Sequence, residues 1–215
     1  VYGLGGTFSI VDLADLVLTR QILNTGFQNL VNAVKWSGES NTVVYAAFDG
    51  AAILYDVDRR RDLRLSFDLP FASAEFSSDG SMVFLADLIG TLVAVDVADG
   101  VEQYRTPAHR GPFLLATDAA GARLVTAGIT DRTISLWDAA TGQRMTTLWS
   151  GATSVRAVWF TPDDRRIGFL DENGTVDFLE TDIDALLTEA RSLVPEGRAL
   201  NAAECLAFFG TEDCS

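Results

Sequence analysis

Five short phrases in this chain each end on an acid six positions after a turn residue, and that recurrence restricts the fold more than any single residue does. They are Gly6-Thr-Phe-Ser-Ile-Val-Asp12, Gly50-Ala-Ala-Ile-Leu-Tyr-Asp56, Gly90-Thr-Leu-Val-Ala-Val-Asp96, Arg132-Thr-Ile-Ser-Leu-Trp-Asp138 and Gly174-Thr-Val-Asp-Phe-Leu-Glu180. Successive acids lie 44, 40, 42 and 42 residues apart. Self-similarity at about 40–45 residues is the length of one four-stranded propeller blade. A unit of that size cannot bury its apolar faces alone, so neighbouring periods must cover one another.

Within a period the pattern reads strand, turn, strand, turn. The second period has Ala33–Trp36, Thr42–Phe48, Ala52–Asp56 and Leu63–Phe67; the third has Ser73–Phe76, Ser81–Ala86, Thr91–Asp96 and Glu102–Thr106. These runs are short, rich in Val, Ile, Leu and aromatics, and bounded by Gly, Asp, Asn and Ser. Ser77-Ser-Asp-Gly80, Ala119-Ala-Gly121 and Pro162-Asp-Asp164 occupy equivalent turn positions. Asp49-Gly50 and Asn173-Gly174 read as two-residue hairpin turns.

The first period is cut short, which leaves four blade cores (residues 31–67, 71–106, 111–149 and 153–181) after a partial one at residues 1–25. A closed ring of seven such blades needs about 290 residues. The chain, at 215 residues, is therefore expected to be the C-terminal part of a larger protein or an arc completed by another chain. Beyond residue 181 the period changes. Ile183, Leu186, Leu187, Ala190, Leu193 and Val194 recur at helical spacing, with Asp182 placed to cap and Pro195 to stop the helix. A second short helix begins at Asn201-Ala-Ala-Glu204 and ends at Gly210. Residues 182–215 thus read as a helical cap on the exposed edge of a repeat array of residues 1–181.

The fourth blade carries a family resemblance. His109-Arg-Gly-Pro-Phe113, Leu124-Val-Thr-Ala-Gly-Ile-Thr-Asp131 and Thr133-Ile-Ser-Leu-Trp-Asp138 resemble a WD40 repeat. The resemblance covers roughly residues 1 to 180 and implies an all-β, WD40-type β-propeller segment of about four blades plus a partial one, with the short C-terminal helical extension. It also implies a hydrogen-bonded structural tetrad of His109, Thr126, Asp131 and Trp137. A buried imidazole must satisfy both nitrogens, and a carboxylate, a hydroxyl and an indole N–H can do so in relay. The other blades lack the His and the Trp and are expected to rely on apolar packing. The tail, Asp182-Ile-Asp-Ala-Leu-Leu-Thr-Glu-Ala-Arg191 with Ala202–Cys205 and Phe208–Cys214, is similar to the C-terminal end of large bacterial signalling proteins that place a WD40 array after a STAND-type ATPase module. That similarity implies the sensor or autoinhibitory half of a switch.

Composition narrows the function classes. Thirty acidic residues against sixteen basic ones give a formal charge of −14, a field that repels a free polyanion such as nucleic acid unless a local basic patch overcomes it. Fifteen of the sixteen bases are Arg, with Lys35 the exception, a bias read only as a hint of bacterial origin. No apolar run of the length of a membrane span is present. His109 is the sole histidine, so a histidine-rich metal site is excluded, and a Ser-His-Asp triad would have to use a residue better explained by the tetrad. Gly3-Leu-Gly5-Gly6 lacks the Lys and Ser or Thr of a phosphate loop. Asp163-Asp164 and Asp56 with Asp58 are paired carboxylates, but at turns such groups cap or are solvated.

Two further features stand out. Arg59-Arg60-Arg61 is the one basic run, a docking point for an acidic partner or a set of local ion pairs. Cys205 and Cys214 lie nine residues apart around Gly210. They are either two free thiols or a disulfide stapling the tail, and the reading favours the disulfide. With no second pair, zinc is not expected. The expectation is a non-enzymatic scaffold or sensor segment that binds protein through its loops, with no catalytic residue, metal or cofactor, no direct contact with nucleic acid and no membrane span in this chain. Its partner is another protein or the rest of its parent. The rival is a ligand- or metal-binding enzymatic propeller completed by another chain or by a missing N-terminal part. The compartment stays open between the cytoplasm and the outer face of a membrane-anchored parent.

Overall fold

In the computed structural model the described residues are 8–11, 18–22, 31–37, 39–47, 51–67 and 70–181, and every regular element among them is a β-strand. Strands β1 (Phe8–Val11) and β2 (Leu18–Ile22) form an antiparallel pair. Three four-stranded sheets follow. The first holds β3 (Val31–Ser37), β4 (Thr42–Ala47), β5 (Ala51–Asp56) and β6 (Arg61–Ser66). The second holds β7 (Phe71–Phe76), β8 (Met82–Asp87), β9 (Thr91–Asp96) and β10 (Glu102–Pro107). The third holds β11 (Phe113–Thr117), β12 (Arg123–Gly128), β13 (Thr133–Asp138) and β14 (Arg144–Ser150). A three-stranded sheet of β15 (Val155–Phe160), β16 (Arg166–Asp171) and β17 (Val176–Glu180) comes last. In each of these four sheets spatial order follows chain order, so every connection is a hairpin. The residues of the proposed helical tail, with Cys205 and Cys214, and Gly3-Leu-Gly5-Gly6 lie outside the described residues.

The first strands of successive sheets pack against one another, β3 on β7, β7 on β11 and β11 on β15. The sheets are therefore stacked face to face with their inner strands adjacent, and the core lies between sheets. Val44, Leu54, Phe71, Val83 and Leu85 fill the first interface, and Phe84, Leu92, Phe113, Leu124 and Trp137 the second. Val125, Ile134, Leu136, Ile167 and Phe169 fill the third. The middle strands are buried on both faces, as β8, β9, β12 and β13 show, whereas β10 alternates toward solvent. That explains the continuous apolar runs at the middle strands: they are sandwiched, so a strict polar alternation is not required of them.

The recurring acid has a local task. The Asp56 carboxylate accepts from the Arg59 N–H (2.8 Å), that of Asp96 from the Ala98 N–H (2.7 Å) and that of Asp138 from the Thr141 N–H (2.8 Å). Each carboxylate caps the turn into the last strand of its sheet. Four residues after the acid the backbone enters the left-handed region, at Arg60 (φ 52°), Gly100 (φ 75°) and Gly142 (φ 67°). Two sheets place glycine there, and one places an arginine.

The hairpin between β16 and β17 differs from the two-residue turn expected of Asn173-Gly174. Residues 172–175 connect the strands, and one oxygen of Asp171 accepts from the Asn173 and Thr175 N–H groups (2.9 and 2.8 Å). Asp87 does the same between β8 and β9, accepting from Ile89, Gly90 and Thr91 (3.0, 2.8 and 2.7 Å). A carboxylate reaching forward over three or four residues holds a wider loop than a two-residue turn allows.

Candidate functional site: a buried histidine network under an exposed loop face

The loop between β10 and β11 delivers His109 onto the third sheet. Its Nε2 lies 2.7 Å from Thr126 Oγ1 on β12, and the indole Nε1–H of Trp137 on β13 donates to the same oxygen at 2.7 Å. Its Nδ1 faces both Asp131 oxygens at 3.1 and 3.2 Å. Thr126 and Trp137 are buried, and the His109 side chain is fully so. One assignment of protons satisfies every group: Trp137 donates to Thr126, the Thr126 hydroxyl donates to Nε2, and Nδ1–H donates to Asp131. The structure thus brings His109, Thr126, Asp131 and Trp137 into a single directional chain of hydrogen bonds.

Burial lowers the His109 pKa below the ordinary imidazole value; the nearby Asp131 charge opposes this, and the Arg144 guanidinium adds to it. The ring is therefore neutral at pH 7. Burial by itself would raise Asp131, but the Arg110 backbone N–H (2.9 Å), the His109 ring and the Thr133 hydroxyl (3.1 Å) outweigh it and hold the carboxyl below its usual range.

Three contributors were not anticipated from the sequence. Thr133 bonds Asp131 from the start of β13. Arg144 on β14 lays its guanidinium 4.7 Å from the centre of the Trp137 ring and donates to the Ala108 carbonyl at 2.9 Å, tying the outer strand to the histidine loop. Gly128 at the end of β12 leaves the room the network needs, because a Cβ there would fall on Asp131 Oδ1 and crowd His109 Nδ1. The only signal for Gly128 was positional, since β8 and β16 carry Asp87 and Asp171 where β12 carries glycine. In the third sheet the acid has moved three residues on, and histidine uses the vacated space.

The paired carboxylates of the sequence do not converge. Asp56 holds Arg59 while Asp58 accepts from Asn41 (2.6 Å). Asp163 accepts from Thr161 (2.6 Å), and both oxygens of Asp164 reach the Ala119 N–H of the neighbouring sheet (3.0 Å each). These acids serve turns and contacts between sheets.

Arg59 and Arg60 occupy the turn after β5, whereas Arg61 opens β6 rather than lying in the loop. Arg59 and Arg61 border a groove of about 590 Å³ between the first two sheets, floored by Leu54, Leu63 and Val97. Glu39, Asp56, Asp79 and Asp96 border it too, so both signs of charge face the space.

No family model matches the chain. It is similar to subunit I of eukaryotic translation initiation factor 3 from Aspergillus oryzae, 27% identical over 123 residues. The match spans 54% of this chain and 36% of that protein, so the chain covers about a third of the relative's length.

Proposed function

We propose that this chain is a WD40-type β-propeller segment acting as a non-enzymatic scaffold for protein–protein interaction. It would form the C-terminal part of a larger protein of the signalling type to which its tail is similar. The observation that carries the reading is the repeated antiparallel four-strand unit with adjacent inner strands. The third unit holds His109, Thr126, Asp131 and Trp137 in one relay. The role we assign to these four residues is structural: the imidazole side chain is wholly buried and both ring nitrogens are engaged inside the fold. A histidine so placed holds its loop on the sheet. The similarity to a protein named as a subunit of an initiation factor favours work by assembly. Residues 59–61 are a docking point for an acidic partner in this reading, and Cys205 with Cys214 would staple the tail.

The test is the mass of the protein isolated from its source, under native and then denaturing conditions. A scaffold segment is expected in a heavier native complex that yields either a longer polypeptide or a distinct second chain on denaturation. A native species no heavier than this chain alone would refute the scaffold reading.

A further inference from the structure

The loops at the histidine end of the sheets bring exposed arginines and exposed isoleucines together. The connection between β8 and β9 exposes Ile89, and that between β12 and β13 exposes Ile129 and Arg132. The loop before β11 exposes Arg110. Hydrogen bonds lock these three loops together: Gly111 N–H donates to the Ile89 carbonyl (3.1 Å), Arg110 N–H to the Asp131 carboxylate (2.9 Å), and Ile129 N–H to the Pro112 carbonyl (3.1 Å). Gly90 packs so closely on the His109 carbonyl that a Cβ there would overlap it. Ile89, Arg110, Ile129 and Arg132 therefore sit on adjoining, mutually fixed loops.

The charges of these loops are sorted. Asp87 is buried beneath its own turn, and Asp131 is turned into the histidine network. Arg110 and Arg132 are exposed, and neither has a carboxylate partner among the described residues. By contrast Arg59, Arg105 and Arg123 each pair with an acid. Glu172, on the next sheet, is exposed and accepts from the Ser154 N–H (3.3 Å), and its charge bounds the face on that side. On these loops a chain of formal charge −14 thus exposes two arginines and two isoleucines while its two carboxylates are turned into the fold. The groove beside Arg59 and Arg61 lacks this bias because four carboxylates share it.

We infer that this face, Ile89, Arg110, Ile129 and Arg132, docks an acidic segment of another protein whose carboxylates alternate with large apolar side chains. This deepens the scaffold reading and rests on it. A nucleic acid would answer the arginines but leave the isoleucines unused, and the net charge of the protein opposes it. An acidic apolar peptide answers both: carboxylates meet guanidinium forks, and apolar side chains cover the isoleucines.

The experiment measures fluorescence anisotropy on the full chain. Its probes are a labelled twelve-residue peptide alternating Asp with Leu and Phe, the same peptide with Lys for Asp, and a twelve-nucleotide oligouridine. The acidic peptide is expected to bind, and the lysine peptide and the RNA are not. R110E/R132E should weaken binding about tenfold or more, with steep salt dependence. I89S/I129S should weaken it several-fold at every salt concentration, and the charge-matched control R156E should leave it unchanged. All variants are compared at equal melting temperature, so that loss of fold is not scored as loss of binding. Equal binding of the acidic and lysine peptides, an R110E/R132E effect no larger than that of R156E, or preferential binding of the RNA would overturn the proposal. A heavy native complex alongside such a failure would leave the scaffold reading standing and remove this face from it. Selective peptide binding by a chain that is monomeric at its source would do the reverse.

Discussion

Thr126→Val isolates the hinge of the histidine network. Valine keeps the volume and the β-branched shape, so β12 loses no packing, but the hydroxyl disappears. That oxygen is 2.7 Å from the Trp137 indole nitrogen and 2.7 Å from His109 Nε2, and Thr126 is fully buried. Its removal strands one buried donor and one buried acceptor. Each unsatisfied group costs about 1–3 kcal/mol, so the substitution should cost about 2–6 kcal/mol. For a chain of this size each kcal/mol lowers the melting temperature by about 2–4 °C, which places the expected drop between about 4 and about 24 °C by circular dichroism. Thr117→Val is the comparison, since its hydroxyl makes a single bond to the Phe76 carbonyl (3.0 Å) in a partly buried site, worth about 0.5–1.5 kcal/mol. Trp137→Phe on the Thr126→Val background should cost less than on the wild type, because the stranded N–H is already a loss. Equal losses for Thr126→Val and Thr117→Val, or strict additivity with Trp137→Phe, would refute the idea that one hydroxyl links both rings.

Protonation tests the same site. The folded pKa of His109 lies below the ordinary 6.5, so the unfolded chain takes up its proton first. Stability should be full above about pH 6.5 and fall as the pH drops toward the folded pKa, by at most about 1.4 kcal/mol per pH unit. Asp131, also lowered, should add a further loss below its ordinary 3.8. Urea titrations between pH 8 and 3 check both steps, and because His109 is the only histidine its NMR signals report the Nδ1–H tautomer without overlap. Stability that rises from pH 7 to 5.5 would contradict the assignment. Gly128→Ala should destabilise by about 1–3 kcal/mol through overpacking and should perturb those same imidazole signals. Arg60→Gly should stabilise by about 0.5–1 kcal/mol by relieving a left-handed non-glycine residue. Asp164→Gly, at a similar backbone angle (φ 55°), should destabilise instead, because it removes the carboxylate that holds Ala119; chemical denaturation separates the two signs.

The parts of the fold that were readable from residue order are those governed by neighbours in the chain. A turn acid and the strand before it lie within a few residues, and short apolar runs bounded by Gly and Asp announce strands wherever they sit. His109 was readable as a candidate because the blade around it resembles a WD40 repeat, and that resemblance implies Thr126, Asp131 and Trp137 as its partners. Arg144 was not readable, because its target, the Ala108 carbonyl, is 36 positions away and backbone carbonyls leave no mark in a sequence. Nor was the change of role between Asp87, Asp171 and Gly128. It emerges only when registers are aligned across sheets, since the sequence phrases align on the acid at the opposite turn. The end-facing sorting of acids and arginines is likewise a matter of direction: Asp131 and Arg132 are adjacent in the chain, yet one carboxylate turns inward while the arginine beside it is exposed.

The cap that closes each last hairpin is built within five residues. Asp96 receives its bonds from Ala98 and Gly100, and Asp138 receives its bonds from Thr141 and Gly142. The bonds to the acid itself come from its own period, and the preceding sheet adds only the Tyr104 hydroxyl on the Ala139 carbonyl (2.9 Å). A stretch of gene encoding one whole period therefore carries its own stop signal, and duplication or loss of that stretch leaves the remaining hairpins closed. Such a chain can change length in evolution by whole sheets, while an insertion of half a period would leave an acid without a turn to close. A restriction of that kind would keep the interval between such acids near constant.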